Sequence, residues 1–163
     1  MVGLISINYK IAPIDIREKF HFDNSEKISF NSLLKKKIGV EGLMIISTCN
    51  RTEIYFEFEN HIGEEKKILH SIVKELSEFR SFKDSLSPYL TKKIGSYEVA
   101  KHLFRLVSGL ESMMIGEFQI VEQLKEAYYF SRDKKMLGPI LSRMIQKSLE
   151  TGKHIRTNTK IGK

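Results

Sequence analysis

The sequence predicts an α+β fold: an antiparallel sheet layered with helices, followed by a helical subdomain. Three observations predict it. Apolar residues alternate with period two near residues 4–10 and 53–59, a short polar link joins two strand-like runs between 42 and 59, and three amphipathic helical patterns follow residue 95.

Taken in order, "LISINYK" (4–10) sets Ile5, Ile7 and Tyr9 against Ser6 and Asn8, the pattern of a half-buried strand. "PIDIREKFHF" reads as a short helical turn after Pro13, and "SEKISFNSLLKKKIG" as a helix with Ser25 as its cap and Gly39 as its stop. "GLMIIS" (42–47) is a near-continuous apolar run, whereas "EIYFEFE" (53–59) alternates Ile54, Phe56 and Phe58 with Tyr55, Glu57 and Glu59. Both read as strands. The link "TCNRT" makes them an antiparallel hairpin with Cys49 near its tip. "EEKKILHSIVKELSEF" puts Leu69, Ile72, Val73 and Leu76 at helical spacing, and "SPYLTKKIG" is a weaker strand. The order β, α, β, β, α, β is that of a ferredoxin-like sandwich, one antiparallel sheet with helices on one face. We assign residues 1–95 to this sandwich and 96–163 to a helical extension. In its last helix Leu137, Ile140, Leu141, Met144, Ile145, Ser148 and Leu149 form one stripe, with Pro139 in the first turn.

Composition narrows the function classes. A length of 163 residues suits one domain, or one domain with a small appendage, and 41% hydrophobic residues supply a core. One cysteine excludes an intramolecular disulfide and a multi-Cys zinc site, so a reducing, cytoplasmic setting is the simplest context. No leader pattern opens the chain and no run approaches the roughly 18 apolar residues of a spanning helix, so membrane insertion is not expected. The net charge of +7 is concentrated at one end: residues 132–163 hold 9 Lys and Arg against 2 Asp and Glu, and the remainder balances. Such a segment attracts phosphate backbones, and a solvated helical face looks the same.

No G-x-G-x-x-G, G-x-x-x-x-G-K-[ST] or H-E-x-x-H is present, so no dinucleotide site, P-loop or helical zinc site is expected. His21, His61, His70, His102 and His154 lack ligand-like company, and metal binding is not expected. Cys49 stands out by position. A structural cysteine replaces an aliphatic within an apolar run, but at a polar hairpin tip it gains little from burial. A thiolate there would be a nucleophile, with Arg51 and turn amides available to lower its pKa. His102 shares a stripe with Val99, Leu103 and Leu106 and reads equally as a satisfied core residue. In "SGLESMMIGEFQIVEQ" (108–123), Glu111, Ser112, Glu117, Gln119 and Gln123 cluster between apolar residues. That is either a loop with a helix cap or a concave polar site.

"STCNRTEIY" (47–55), "HLFRLVSGLESMMIGEFQIVEQLKEAY" (102–128), "IRTNTKIG" (155–162) and the opening "INYKIAPIDIREKF" (7–20) together resemble the amino-terminal region of glutamyl-tRNA reductase. The resemblance implies reduction of glutamyl-tRNA(Glu) by NADPH to glutamate-1-semialdehyde, the first step of five-carbon tetrapyrrole (porphyrin) biosynthesis. It implies Cys49 as nucleophile, forming a thioester that accepts hydride more readily than a carboxylate, and His102 as a second catalytic residue that assists proton transfer or holds the thiolate. It implies Thr48, Asn50, Arg51, Ser112, Glu117, Gln119 and Gln123 as substrate-binding, with Arg51 suited to pair bidentately with the glutamyl carboxylate and Glu117 to face its ammonium. One departure is Phe118, where the family usually carries Pro. The family's chains continue into NADPH-binding and dimerisation domains, so the resemblance implies a catalytic domain that forms the thioester without binding NADPH. Homodimerisation through those other domains and hand-over of product to glutamate-1-semialdehyde aminomutase are implied for the full-length enzyme. Two readings compete: an RRM-like RNA-binding module using Tyr55, Phe56 and Phe58, whose strand motif is not matched, and a thiol redox sensor, which lacks a resolving cysteine.

Overall fold

The computed structural model describes residues 1–59, 63–111 and 119–158. Its strands are β1 (Val2–Asn8), β2 (Gly42–Ser47), β3 (Arg51–Glu57) and β4 (Thr91–Ile94). Its helices are α1 (Ile14–Lys19), α2 (Asn24–Lys37), α3 (Glu65–Phe79), α4 (Ser96–Val107), α5 (Gln119–Asp133) and α6 (Pro139–Asn158), with one 3-10 turn at Ser87–Tyr89. The sheet order is β2-β3-β1-β4, and every neighbouring pair is antiparallel. The expected boundary after residue 95 falls at Gly95, which joins β4 to α4 with φ +99°.

Both faces of the sheet are covered, and here the structure departs from the half-buried strand and one-sided helical layer expected from sequence. Because successive residues of a strand point to opposite faces, each strand feeds two cores. Ile5, Ile7, Leu43, Ile45, Ile54 and Phe56 pack with Phe20, Phe22, Phe30, Leu34, Ile72 and Leu76 on the side of α1 to α3. Val2, Leu4, Met44, Ile46 and Tyr55 pack with Val99, Leu103, Leu106, Leu124, Leu141 and Ile145 on the side of α4 to α6. The polar positions that suggested a solvated face are buried: Ser6 and Glu53 are fully covered and Glu57 is 1% exposed. Their polar atoms have partners inside the fold, which removes the penalty that would otherwise keep them in water.

Two local features set the edges of this arrangement. The first cap differs from expectation: Asp23, and not Ser25, caps α2, accepting from the Glu26 amide at 2.8 Å while the Glu26 carboxylate accepts from the Asp23 amide at 3.0 Å. This is a reciprocal capping box, and it displaces Ser25 into the first turn. Gly39, at φ +82°, ends the helix as expected, its amide bonding the Leu34 and Lys35 carbonyls. The second feature ties α6 to the sheet. The Leu141 amide donates to the Glu57 carboxylate at 2.7 Å, so an anion from β3 sits at the positive end of α6, just after Pro139. Beside it the Leu43 amide donates to the Met136 carbonyl at 2.7 Å, which closes part of the β2 edge.

That closure needs two glycines. A Cβ on Gly42 would lie 2.4 Å from the Gly138 backbone nitrogen. Gly42→Ala should therefore force apart the β2 edge and the α5–α6 link and destabilise the fold by about 1 to 3 kcal/mol. A shift of the urea unfolding midpoint to lower concentration, with its slope unchanged, checks this.

Candidate active site around the Cys49 hairpin

The hairpin between β2 and β3 is closed by the Thr48 amide donating to the Arg51 carbonyl at 2.8 Å. The Asn50 amide donates to Thr48 Oγ1 at 3.2 Å, and the Asn50 carbonyl accepts from the Tyr9 amide at 2.9 Å. Three residues thus make a tight, externally tethered tip. Cys49 is at its apex and exposed. The apolar run before it and the buried strand after it belong to the core, so the turn itself is the segment left to face solvent.

Two clefts meet at this thiol. One, of about 310 Å3, lies towards α2 and α5 and is lined by Lys27, Thr48, Cys49, Gln123 and Glu126 among others. Gln119 stands one turn before Gln123 at i, i+4 and shares its helix face. Lys27 has its pKa lowered, burial outweighing the opposing charges of Glu126 and Asp23. The other cleft, of about 350 Å3, lies towards α1 and is lined by Ile14, Arg17, Glu18, His21, Thr48 and Cys49. Under the tip, Ser47 Oγ accepts from the Phe22 amide at 2.9 Å and contacts Thr52 Oγ1 at 3.0 Å and His21 Nδ1 at 3.2 Å.

Arg51 and His102 line neither cleft. They belong to a buried network centred on Glu53, which is completely inaccessible. Its carboxylate accepts from Ser6 Oγ at 2.9 Å, Tyr55 Oη at 2.7 Å and His102 Nε2 at 2.9 and 3.1 Å, with Arg51 Nη1 at 3.4 Å. Burial pushes the Glu53 pKa up; the charge and hydrogen bond of His102, the charge of Arg51 and the Tyr55 hydroxyl outweigh it and hold the group at about 2. Burial and the Glu53 charge push Tyr55 well above its ordinary value. The other edge of the Arg51 guanidinium donates to the Glu111 carbonyl, and its carbon lies 5.9 Å from the Tyr9 ring centroid. The Glu111 carboxylate in turn binds Lys10 at 2.9 Å and Arg105 at 2.6 Å. Burial raises its pKa less than these two partners lower it, so it stays ionised. The hairpin, the end of β1 and the end of α4 are thereby fastened to one residue.

Of the residues singled out from sequence, Thr48, Cys49 and Gln123 meet at one cleft, Asn50 shapes the tip, and Arg51 and His102 meet at Glu53. Ser112, Glu117 and Phe118 lie outside the described residues. Sequence reasoning missed Glu53, Ser47, His21 and Lys27. Glu53 shares its strand face with Tyr55 and Glu57, so its alternation gave no signal of burial. For the other three only their later proximity to the tip marks them. Among the described residues no group of three His, Cys, Asp or Glu could hold a metal ion, and no helix is long and apolar enough to cross a membrane.

The molecule is an α+β domain that presents one exposed thiol on a hairpin tip between two clefts. The family model for the glutamyl-tRNA(Glu) reductase N-terminal domain matches residues 5–159, and the chain belongs to that family. It is 35% identical over 163 residues to the glutamyl-tRNA reductase of Aquifex aeolicus, covering 99% of this chain and 38% of that protein. With the Bacillus subtilis enzyme it shares 36% over 161 residues, 98% of this chain and 34% of the relative. The solved glutamyl-tRNA reductase from Methanopyrus kandleri superposes with a TM-score of 0.76 at 27% identity, over 99% of this chain and 36% of that one. The chain spans between a third and two fifths of the length of these relatives.

The Glu53 network predicts an acid-sensitive fold. A carboxylate whose native pKa lies below its unfolded value near 4.5 stabilises the fold above that value, and the contribution disappears as pH falls towards about 2. Chemical denaturation between pH 5 and pH 2.5 should show stability dropping over this window. Glu53→Gln, which leaves Arg51 and His102 without their buried anion, should cost about 3 to 5 kcal/mol at pH 7 and flatten the pH dependence.

Proposed function

We propose that this chain carries the thioester-forming half of glutamyl-tRNA reductase: Cys49 attacks the ester carbonyl of glutamyl-tRNA(Glu) and takes the glutamyl group as a thioester. The observation that carries this reading is the position of the only cysteine, exposed on a braced hairpin tip between two clefts, in a chain of this family. A thiol so placed is reachable by a large substrate, whereas a buried one is not. The sheet order β2-β3-β1-β4 around two crossing helical connections supports the ferredoxin-like description of residues 1–95.

The substrate-binding roles follow the same reading. Gln119 and Gln123 present amides from one face of α5 to the acyl group, and Thr48 and Asn50 hold the tip and offer hydrogen bonds beside the sulfur. The Arg51 guanidinium has five donors, of which Glu53 and the Glu111 carbonyl engage two. We assign the remaining donors to the glutamyl side-chain carboxylate, a role that requires this 4%-exposed side chain to be uncovered when substrate binds, with Ser112 and Glu117 completing the site. His102 serves by holding Glu53 and, through it, the plane of Arg51.

Reduction of the thioester needs hydride from NADPH. The sequence carries no glycine fingerprint for a dinucleotide, so we assign NADPH binding, and with it dimerisation, to other parts of the full-length enzyme. An RNA-binding module using the β3 aromatics gains no support, because Tyr55, Phe56 and Phe58 are all buried and offer no stacking platform.

Incubation of the 163-residue protein with glutamyl-tRNA(Glu), followed by intact mass spectrometry, should show one glutamyl adduct lost on Cys49→Ser. No semialdehyde should form when NADPH is added. An adduct retained in the serine variant would place the nucleophile elsewhere.

A further inference from the structure

Counting hydrogens around Ser47 assigns the protonation pattern of His21. The Thr52 hydroxyl donates to the Phe20 carbonyl at 3.0 Å, so at its 3.0 Å contact with Ser47 Oγ it accepts. The single Ser47 hydrogen is therefore directed at Thr52. Ser47 Oγ already accepts from the Phe22 amide, and at its 3.2 Å contact with His21 it has no second hydrogen to give. The donor in that contact is His21 Nδ1. A neutral His21 thus carries its proton on Nδ1 and presents a lone pair at Nε2. His21 and Cys49 line the same cleft, and the His21 carbonyl is held by the Arg80 guanidinium. In contrast, His102 has Nε2 committed to the buried Glu53 carboxylate.

We propose that His21 is the proton carrier for acyl transfer at Cys49 and that the cleft towards α1 is the leaving-group side; this inference rests on the acyl-transfer reading above. As Cys49 Sγ bonds to the ester carbonyl carbon, its proton passes to His21 Nε2. When the carbon–oxygen bond breaks, Nε2 returns that proton to the departing ribose oxygen. Thiol and ester become thioester and ribose hydroxyl, and His21 ends as it began. The Nδ1–H to Ser47 bond persists through the imidazolium stage and strengthens there, because a charged donor makes the better hydrogen bond. The charged and titratable groups lining this cleft with His21 are Arg17 and Glu18 from α1 and Cys49 from the hairpin, with Arg80 from the end of α3 at its backbone carbonyl.

The test compares two glutamyl donors, timing the Cys49 adduct by intact mass. Glutamyl-tRNA(Glu) has a ribose oxygen that leaves poorly without a proton, whereas the α-p-nitrophenyl ester of glutamate releases a phenolate that needs none. His21→Ala should slow acylation by glutamyl-tRNA roughly 100-fold, the low end for a lost acid–base group. Its effect on the p-nitrophenyl ester should be at least tenfold smaller. Ser47→Ala, which frees Nδ1, should change the two rates in the same order to a lesser degree. His21 is exposed, so both His21→Ala and His21→Gln should retain the native thermal transition. No loss with either donor would overturn the role of His21 alone, and equal losses with both would overturn its return of the proton to the leaving group. No adduct from either donor in the unaltered chain would overturn the acyl-transfer reading and this inference with it.

Discussion

The rest of the structure depends on the carboxylate of Glu53. It is fully withdrawn from water between the sheet and α4, a placement that would be prohibitive for an unpaired charge. Four side chains reach it, Ser6 from β1, Arg51 and Tyr55 from β3 and His102 from α4, so one anion fixes two strands and a helix at once. Because Arg51 is the first residue of β3 and its carbonyl closes the hairpin, that fixation is transmitted to the tip. The opposite edge of the same guanidinium holds the Glu111 carbonyl, which extends the bracing to the residue four positions past the end of α4. An apolar side chain at residue 53 could fill the space. It could not align a guanidinium and an imidazole, since hydrophobic packing carries no such direction.

Burial of the sheet on both faces has a consequence for where chemistry can occur. With α1 to α3 on one side and α4 to α6 on the other, the faces of β1, β2 and β3 are covered and offer no concave platform, while the hairpin tip after β2 stays exposed. At the β2–β3 end Cys49 borders two clefts, one lined by α2 and α5 and the other by α1 and His21. On the acyl-transfer reading proposed above, these are separate spaces for the group Cys49 receives and the group it releases, the two halves an ester presents.

The sheet was readable because its signals are local. The runs 42–47 and 53–59, with five residues between them, define a hairpin by alternation and length, and Gly39 and Pro139 punctuate helices through their own backbone preferences. Full burial of β1 and β3 was not readable. Ser6, Glu53, Tyr55 and Glu57 look like a solvated face until α4 and α6 arrive, and those helices come from more than 40 residues further along the chain. Ser25 offers a hydroxyl at the start of α2, but Asp23 and Glu26 satisfy each other's amides reciprocally and so set the cap two residues earlier. At the site, Cys49 was legible from its misfit with a polar turn. His21 was not, since its meaning lies in a hydroxyl 26 residues away and in a cleft no spacing rule describes.

The two histidines near the hairpin show how environment divides labour within one residue type. His102 donates Nε2–H to a carboxylate held at about 2, and in that pairing its ring orders charges that must not move. With Nε2 committed to that carboxylate, His102 is a buried donor that lines neither cleft at Cys49. His21 has a hydroxyl for a partner, solvent on one side and the thiol's cleft on the other. Gaining a proton there adds charge where water can solvate it, and losing one leaves no buried ion behind. Rigidity is thus concentrated beneath the hairpin, and on the reading proposed above the exposed His21 carries the proton while the frame that aims Cys49 keeps its charges in place.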